Sequence, residues 1–326
     1  MSAIVLENPG DASQLQWRTN FPLPSLIENQ VLIRNVYAGV NFMDTHFRSG
    51  RYPTTCPVVL GGEGAGVLVT AHPSVADQFK PGDRVAFVAK SGSYAQYSAV
   101  STDRVVHVPK DISSQVAASY IAQGLTAVTL LREAHVVNPG EWILVHGASG
   151  GVGSLLVQMC AATGARVIAT ASSAEKAAAV KDLGAEYVVD TSQEDWLARV
   201  GEITAGHGAD AIFDPIGQAT FEGDLQAIAR KGDLVCFGNA SGEIPPVDVL
   251  KLGGTKNIKL CYPTVFAYLQ MREETQRYAE ELFDLIRRGI VRVDGYKVYE
   301  LENVRTAHEE MEGRRAGGKI VLRVPK

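Results

Sequence analysis

The stretch that decides the fold is residues 142–153, WILVHGASGGVG, where an apolar run ends in a glycine-rich turn. A helix-like segment follows, and a second apolar run, 166–171, comes next. The order strand, turn, helix, strand is that of one βαβ unit, and Gly147, Gly150 and Gly153 have G-x-x-G-x-x-G spacing. Such a turn lets the backbone approach a diphosphate and points helix N–H groups at it. The stretch therefore predicts a dinucleotide-binding unit, with an ordinary tight turn as the alternative.

The end of the second apolar run predicts which dinucleotide binds. NAD-binding units carry an acidic residue roughly 20 residues after the glycines, which holds the ribose 2′-hydroxyl. Here the run ends Thr170-Ala171-Ser172-Ser173, and Lys176 follows. Hydroxyl groups and a cation suit a 2′-phosphate, which a carboxylate would repel. The sequence predicts NADPH, although Lys176 by itself is equally typical of a solvated lysine near a helix start.

Length and composition narrow the class of protein. A chain of 326 residues is long enough for two domains. The net charge of -5 gives no electrostatic reason to expect binding to nucleic acid or anionic membranes. No apolar stretch has membrane-spanning length, and the first residues do not resemble a signal peptide. Four scattered cysteines without a CxxC pair predict reduced thiols and a cytoplasmic protein.

The pattern of elements changes along the chain. Residues 30–37 alternate apolar and polar side chains, as does much of the first third, which predicts an antiparallel β region. A helical pattern begins after Asp111, Gly124 is expected to interrupt it, and strands alternate with helices from Trp142 onward. The tail, 318–324, again has the pattern of a strand and is expected to return to the first sheet.

These changes predict an α/β protein of two domains. Residues 1–121 with 291–326 form a β-rich catalytic domain, and residues 122–290 form a doubly wound parallel-sheet domain, with the active cleft between them. Ligands of such sheets bind at the carboxyl ends of the strands. Two segments predicted there, 214–217 and 237–241, are small or polar.

Motifs of other chemistries are missing from the sequence. None of the seven histidines lies in an H-E-x-x-H motif or beside a CxxC pair. There is no G-x-S-x-G nucleophile elbow and no phosphate-transfer loop. His146 follows a buried strand, and we interpret it as a core histidine rather than a catalytic one.

Several segments together carry a resemblance to a known family. They are 39–50 (GVNFMDTHFRSG), 60–66 (LGGEGAG), 123–127 (QGLTA), the glycine turn and 237–242 (FGNASG). In these motifs the chain resembles the zinc-independent, zeta-crystallin-like quinone oxidoreductases of the medium-chain dehydrogenase/reductase superfamily, over essentially its whole length. The resemblance implies a GroES-like catalytic domain beside a Rossmann-type domain, NADPH as cofactor, a quinone as substrate, and a homodimer.

The resemblance also accounts for the missing metal motif. Zinc-dependent relatives carry a cysteine near positions 41–44 and a histidine at the position of Gly62, together with a cysteine-rich lobe that this chain lacks. Without a Lewis acid, alcohol oxidation is a poor proposal. Hydride delivery to an electron-poor acceptor needs only positioning and a hydrogen bond to the developing oxyanion. We therefore expect no bound metal.

Cofactor contacts are implied residue by residue. They are Asn41, Phe42 and Thr126 near the nicotinamide, Gly147, Gly150, Gly151, Val152 and Gly153 at the diphosphate, Ser172 and Lys176 at the 2′-phosphate, Phe237, Gly238 and Ser241 at the nicotinamide ribose, and Arg314 near the adenosine phosphate. The chain departs from some relatives, which have tyrosines at the positions of His46 and Thr191. The difference at His46 bears on the predicted substrate pocket, and the difference at Thr191 bears on the predicted preference for NADPH.

The candidate catalytic residues are Asn41, His46 and Tyr52, because each can donate a hydrogen bond to a quinone oxygen. Asn41 acting only on the cofactor, Tyr52 capping a loop, and solvent supplying the proton remain alternatives. The expected reaction is direct hydride transfer from NADPH to a quinone. The alternatives are an alkenal or enone double-bond reductase and, outside catalysis, an RNA-binding or lens-structural protein, for which no basic stripe with interleaved aromatic residues is present.

The predicted homodimer also has a local basis in the sequence. Residues 259–263 (KLCYP) predict a late strand of the dinucleotide-binding sheet. A strand at the edge of an open sheet leaves N–H and C=O groups unpaired. Two such edges can pair across a two-fold axis, which would satisfy both.

Overall fold

The computed structural model describes residues 1–254, 256–293, 295–313 and 318–326. The strands of these residues are β1 (Ala3–Leu6), β2 (Leu15–Arg18), β3 (Gln30–Val40), β4 (Val58–Val59), β5 (Glu63–Ala71), β6 (Arg84–Val88), β7 (Tyr97–Ser101), β8 (Val105–His107), β9 (Trp142–Val145), β10 (Arg166–Ala171), β11 (Tyr187–Asp190), β12 (Ala209–Asp214), β13 (Ile228–Cys236), β14 (Lys259–Cys261), β15 (Tyr296–Glu300) and β16 (Lys319–Arg323). The helices are α1 (Phe42–Ser49), α2 (Ser114–Thr129), α3 (Gly151–Thr163), α4 (Ala174–Lys181), α5 (Trp196–Ile203), α6 (Phe221–Ala227), α7 (Val249–Gly253), α8 (Val265–Tyr268), α9 (Arg272–Arg287) and α10 (Val304–Glu312). No helix of the described residues is long and apolar enough to cross a membrane.

The chain divides into two compact units. The first is made of Met1–Leu125, Leu269–Asp284 and Val293–Lys326. The second is made of Thr126–Tyr268 and Leu285–Arg292. The predicted domain limits stay a prediction, and they differ from this division mainly in the segment that contains most of α9, which groups with the first unit.

The first unit is built mainly on antiparallel sheet, and its one parallel pair among the described strands is β15 with β16. Its larger sheet has the strand order β15-β16-β3-β5-β6-β8, with β7 also paired to β3, and its smaller sheet has the order β2-β1-β4. Alternating residues of β3, such as Val31 and Ile33, are fully buried, as the alternating sequence predicts. The tail strand β16 pairs antiparallel with β3, with Val321 opposite Gly39. The predicted return of the tail to this sheet is therefore confirmed.

The second unit contains one parallel sheet with the order β11-β10-β9-β12-β13-β14. Every neighbouring pair in it is parallel. The chain moves outward from β9 to β11 and then returns to the other side of β9 with β12, so the strand order reverses between β9 and β12. Side chains such as Leu144, Ile168 and Leu234 bury the face of this sheet. The predicted doubly wound α/β architecture is confirmed, with the glycine turn placed at the reversal of strand order.

Gly124 does not interrupt a helix as the sequence suggested. α2 continues through it from Ser114 to Thr129, and a π-helical turn follows. A Cβ added to Gly124 would lie 2.4 Å from Cδ2 of Leu282 on α9. The glycine is present because another helix packs closely there, and this tertiary contact outweighs the weak helix propensity of glycine.

Candidate functional site

The glycine turn joins β9 to α3. Gly147 has φ +57°, in the left-handed region that favours glycine. The Gly150 N–H donates to Gly147 O at 2.9 Å, and a Cβ on Gly153 would lie 2.5 Å from the same oxygen. The turn is thus folded tightly against the start of α3, which includes Gly151 and Val152. Because the first N–H groups of a helix have no intrahelical acceptor, this end of α3 suits a diphosphate.

A buried chain of polar groups supports the turn from beneath. Thr170 Oγ1 accepts from the Gly147 N–H at 3.3 Å and lies 3.1 Å from His146 Nδ1. His146 Nε2 donates to Asp224 Oδ1 at 2.9 Å. Burial lowers the pKa of His146, but the Asp224 carboxylate, its hydrogen bond and Asp214 together raise it on balance. His146 is only 1% exposed, so the interpretation as a core histidine agrees with its position.

The end of β10 carries the groups predicted to select the cofactor. Ser173 caps α4, its hydroxyl accepting from the Lys176 N–H at 3.4 Å. Lys176 Nζ donates to the exposed Ser172 Oγ at 3.4 Å. Thr191, where some relatives carry a tyrosine, donates its hydroxyl to Ala171 O at 3.1 Å. A cation and hydroxyl groups are therefore collected at the end of β10, where the two residues directly after the strand, Ser172 and Ser173, are not acidic.

Two further loops lie at the carboxyl ends of β12 and β13. Asp214 is fully buried and accepts from the N–H groups of Ile216 and Gly217 and from the Thr220 hydroxyl. The half-buried Phe237 donates its N–H to Asp214 O at 2.8 Å. The Asp214 carboxylate is thus a structural acceptor that shapes its own loop.

The second of these loops is held against the first. The Ser241 hydroxyl donates to Ile216 O at 2.8 Å and accepts from the Ala219 N–H at 2.9 Å. A Cβ on Gly238 would lie 2.6 Å from Pro215 O. Ser241 and Gly238 therefore fix the spacing of the two loops, a role that sequence reasoning missed, and their predicted contact with the nicotinamide ribose stays a prediction.

In the first unit, Asn41 links the end of β3 to the start of α1. Its Oδ1 accepts from Lys319 Nζ at 2.7 Å, and its Nδ2 donates to Glu63 Oε1 at 2.8 Å. Its backbone N–H donates to Asp44 Oδ2 at 2.8 Å. Asp44 and Glu63 lie in two of the family-like segments, 39–50 and 60–66, but Lys319 comes from the tail strand, and no pattern in the sequence indicates that these groups meet.

A buried chain of side chains extends from Asp44 to the helix α10. Tyr94 Oη donates to Asp44 Oδ2 at 2.8 Å and lies 3.2 Å from His308 Nε2. Arg48 donates to His308 Nδ1 at 3.2 Å and forms a two-pronged ion pair with Glu312 at 2.9 and 2.7 Å. Burial raises the pKa of Asp44 to about 6, while burial and then Arg48 lower the pKa of His308 to about 3. This series of hydrogen bonds connects α1 to α10, and it therefore also holds Asn41, which directly precedes α1.

The structure brings the other predicted pocket residues of this unit together. The rings of Phe42 and His46 lie 5.6 Å apart, and those of His46 and Tyr52 lie 5.0 Å apart, in both cases edge to face. The Tyr52 N–H donates to His46 O at 3.1 Å. Burial and then Arg51 lower the pKa of His46, which favours the neutral imidazole. The residues that follow Asn41 in the chain thus form an aromatic cluster that also carries polar groups.

Thr126, Arg314 and the position of Gly62 are the remaining sites considered in the sequence. Thr126 is half-buried in α2 and begins the second unit, and Arg314 lies outside the described residues. Nowhere in the described part of the chain do three or more His, Cys, Asp or Glu side chains stand together as metal ligands. At Gly62, a Cβ would meet Ala89 O at 3.2 Å and Asp44 Oδ1 at 3.5 Å. Gly62 has no side-chain donor and therefore cannot supply the ligand that a histidine at this position would supply.

Comparison with known proteins defines the class. Residues 27–110 match the family described as the alcohol dehydrogenase GroES-like domain, and residues 151–284 match the zinc-binding dehydrogenase family. With the fold above, these matches define a medium-chain dehydrogenase/reductase. The zinc-binding name of the second family is not accompanied by zinc ligands among the described residues of this chain.

Individual relatives define the family more narrowly. A probable quinone oxidoreductase of Schizosaccharomyces pombe is 36% identical over 98% of this chain and 96% of that protein. The solved quinone oxidoreductase of Pseudomonas syringae has a TM-score of 0.94 and 37% identity, covering 99% of each chain. That of Escherichia coli, complexed with NADPH, has a TM-score of 0.93 and 33% identity, covering 99% of this chain and 100% of that one. The chain belongs to the quinone oxidoreductase family.

Proposed function

We propose that this chain is an NADPH-dependent quinone oxidoreductase that reduces quinones by direct hydride transfer without a metal ion. The observation that carries the proposal is the pairing of a tight glycine turn with a strand end where Lys176 contacts Ser172 and where neither Ser172 nor Ser173 is acidic. This arrangement lies in a chain whose relatives are quinone oxidoreductases, one of them solved with NADPH. When bound, NADPH supplies the hydride.

The residues of the second unit have distinct tasks in binding. The first N–H groups of α3, at Gly151, Val152 and Gly153, neutralise the diphosphate, since they point out of the helix and carry its positive dipole end. Lys176 and Ser172 bind the 2′-phosphate by charge-assisted hydrogen bonds. The loops after β12 (214–217) and β13 (237–241) contain small residues, which leave space for the nicotinamide ribose.

In the first unit, Asn41 and Tyr52 are the donors for the substrate. Reduction of a quinone places negative charge on its oxygen, and a fixed N–H or O–H donor stabilises that charge without reorganising. Asn41 Nδ2 has two protons, of which Glu63 accepts one. Tyr52 offers a phenolic O–H as a donor. His46, as a neutral imidazole, is the third and weaker donor of the cluster.

We further propose that the enzyme needs no zinc and is a cytoplasmic homodimer. The position where zinc-dependent relatives carry a histidine is Gly62, and Asn41 and Asp44 beside it do not supply a thiolate. The four cysteines are free thiols, which supports a reducing compartment. β14 lies at the end of the parallel sheet, so its outer edge can pair with that of a second copy.

Steady-state kinetics test the function. Oxidation of NADPH and of NADH is followed against a panel of benzoquinones, naphthoquinones and α,β-unsaturated ketones and aldehydes. We expect quinones to give the highest kcat/KM, with NADPH preferred. Higher kcat/KM with the enones would replace the proposal by a double-bond reductase. No turnover with any acceptor, together with salt-dependent RNA binding, would favour a non-enzymatic role.

Elemental analysis of the purified protein tests the metal. We expect less than stoichiometric zinc and full activity after incubation with a chelator. One zinc ion per chain, with activity lost on chelation, would contradict the metal-free mechanism and leave the NADPH preference standing.

A further inference from the structure

A buried ion pair lies directly behind Asn41, and the proposed reaction does not use it as an acid or base. The side chain of Lys319 is 3% exposed and that of Glu63 is fully buried. Burying two charges carries a large desolvation penalty, and apolar side chains of similar volume often serve stability equally well. The pair therefore calls for an explanation beyond stability.

The hydrogen bonds of the pair converge on Asn41. Lys319 Nζ donates to Val40 O at 2.9 Å, to Asn41 Oδ1 at 2.7 Å, and to Glu63 Oε1. An ammonium group has three protons, so all of its donors are used. Glu63 Oε1 also accepts from Asn41 Nδ2 at 2.8 Å, and its Oε2 accepts from the Ala122 N–H at 2.8 Å.

Neighbouring backbone leaves space for this carboxylate. A Cβ on Gly39 would lie 2.2 Å from Glu63 Oε1 and 2.6 Å from Ala118 O. Gly39 is part of β3, one residue before Val40, and a larger residue there would displace Glu63. The sheet is thus built to place a carboxylate at this position.

The consequence is that the amide of Asn41 has one permitted orientation. The cation contacts the amide oxygen and the anion contacts the amide nitrogen. Rotating the amide by half a turn would place its NH₂ against Lys319 and its oxygen against Glu63, two repulsive contacts in a buried setting where charges interact strongly. One Nδ2 proton is held by Glu63, which fixes the direction of the other.

We propose that Lys319, together with Glu63, is a positioning residue that orients the Asn41 amide so that its second Nδ2 proton is presented to the substrate oxygen. The proposal rests on the proposed function, in which Asn41 is a donor to the quinone. Lys319 does not contact the substrate and acts only through Asn41. Its charge next to the amide oxygen also strengthens the amide N–H as a donor.

A double-mutant cycle tests whether Lys319 acts through Asn41. The ion pair is removed as a whole in the variant E63Q/K319M, because removing one partner alone would leave an unpaired buried charge. We expect its single-turnover rate with a quinone to fall by about 10- to 100-fold, since small misplacements of a catalytic group can reduce rates by up to about 10²-fold. In the Asn41→Ala background the same replacement should cause no further loss.

The control is Lys297→Met. Lys297 lies in β15, its side chain is 46% exposed, and it forms an ion pair with Glu310. This variant should retain the wild-type rate. Rate losses that multiply between Asn41→Ala and E63Q/K319M would overturn the proposal, because the pair would then act independently of Asn41. A wild-type rate in E63Q/K319M would overturn it as well.

A second measurement does not depend on whether the ion-pair variant folds. The side-chain amides of asparagine are labelled with ¹⁵N in the NADPH-bound enzyme, and the Asn41 signal is identified as the one missing in Asn41→Ala. The two Nδ2 protons give separate signals, and we expect the one donated to Glu63 to exchange with water much more slowly than the other. Equally rapid exchange of both protons would overturn the proposal. If the wild-type enzyme reduces no quinone, the proposed function fails while this measurement still decides whether the pair holds Asn41.

Discussion

Lys176 Nζ donates to Ser172 Oγ at 3.4 Å across the start of α4, at the carboxyl end of β10. The lysine side chain is thus directed toward the strand end, where it is half-buried as a residue while its contact with Ser172 remains exposed to solvent. This contact places the cation beside the hydroxyl that we assign to the 2′-phosphate.

Lys176→Ala should reduce the preference for NADPH. Losing one charge-assisted contact with a phosphate costs roughly 1.5–3 kcal/mol, or roughly 10- to 150-fold in the ratio of kcat/KM for NADPH and NADH. The matched control is Lys181→Ala on the same helix, whose Nζ donates to Glu186 O at 2.6 Å. If the ratio does not fall, or falls equally in the control, Lys176 is not the selector.

Gly153→Ala should weaken NADPH binding by disturbing the turn. The new Cβ would lie 2.5 Å from Gly147 O, and relieving such overpacking costs about 1–3 kcal/mol. We expect the NADPH dissociation constant, measured by fluorescence titration, to rise by about tenfold or more.

The control for this substitution is Gly201→Ala in α5, where a Cβ would meet no atom within 4 Å. It should leave NADPH binding unchanged and raise the free energy of unfolding by about 0.4–1 kcal/mol. Unchanged binding in Gly153→Ala would show that the turn can open without loss and would weaken its assignment as the diphosphate site.

The parts of the fold that could be predicted are those that depend on residue patterns within a short stretch of the chain. The glycine spacing after β9 is contained within a few residues, so the βαβ unit could be identified without tertiary information. The alternation in β3 and in the tail strand likewise indicated half-buried strands of one sheet.

The parts that could not be predicted depend on contacts between distant residues. Lys319 and Glu63 are 256 positions apart, and nothing in either segment indicates the other. Gly124 has the local signature of a helix break, yet its role is set by Leu282 on another helix. The three candidate donors, Asn41, His46 and Tyr52, were named from the family resemblance and from their ability to donate hydrogen bonds, and this role stays a prediction. The groups that orient Asn41 carry no such signature in the sequence.

Asp44→Asn should flatten the pH dependence of stability. Burial raises the pKa of Asp44 from 3.8 to about 6, so the folded state binds this proton more tightly than the unfolded state. The stability that this proton contributes is complete below pH 3.8 and is lost as the pH rises through about 6. An asparagine stays neutral and can still accept from Tyr94 Oη, so the variant should gain up to about 3 kcal/mol relative to wild type above pH 6.

Urea unfolding between pH 4 and 8 measures this difference, and comparing variant with wild type cancels the contributions of other groups. Asp77→Asn, at an exposed position, is the control and should change the free energy of unfolding by no more than about 0.5 kcal/mol, as surface substitutions usually do. A difference for Asp44→Asn that does not change with pH would mean that Asp44 does not carry the buried proton.

Tyr262→Glu should loosen the proposed dimer. Tyr262 directly follows β14 at the end of the sheet and is 52% exposed. In an isologous contact the substitution brings two like charges close together. We expect the dimer dissociation constant to rise by about tenfold or more, with NADPH affinity unchanged, measured by analytical ultracentrifugation and titration. Met271→Lys, 56% exposed in the first unit, is the control. A wild-type monomer at micromolar concentration would end the dimer proposal.

Asn41→Ala and Tyr52→Phe should slow hydride transfer itself. Each removes a donor assigned to the developing oxyanion, and losing such a donor typically costs about 10²–10³ in turnover. Single-turnover absorbance separates this step from cofactor binding and product release. Tyr299→Phe, which removes a hydroxyl hydrogen-bonded to Glu310, is the control and should keep the wild-type rate.

Isotopic labelling checks the reaction class independently of these variants. Deuterium at the transferring position of NADPH should slow the single-turnover step and appear in the product of an enone acceptor, whose new C–H bond does not exchange with water. The hydroxyl protons of a hydroquinone product do exchange with water, so the enone is the more reliable acceptor for detecting the label. Since direct hydride transfer needs only a positioned cofactor and an oxyanion donor, the label test and the donor test can fail separately. If both donor variants keep full single-turnover rates while the label is transferred, the assignment of Asn41 and Tyr52 is wrong and the reaction class stands.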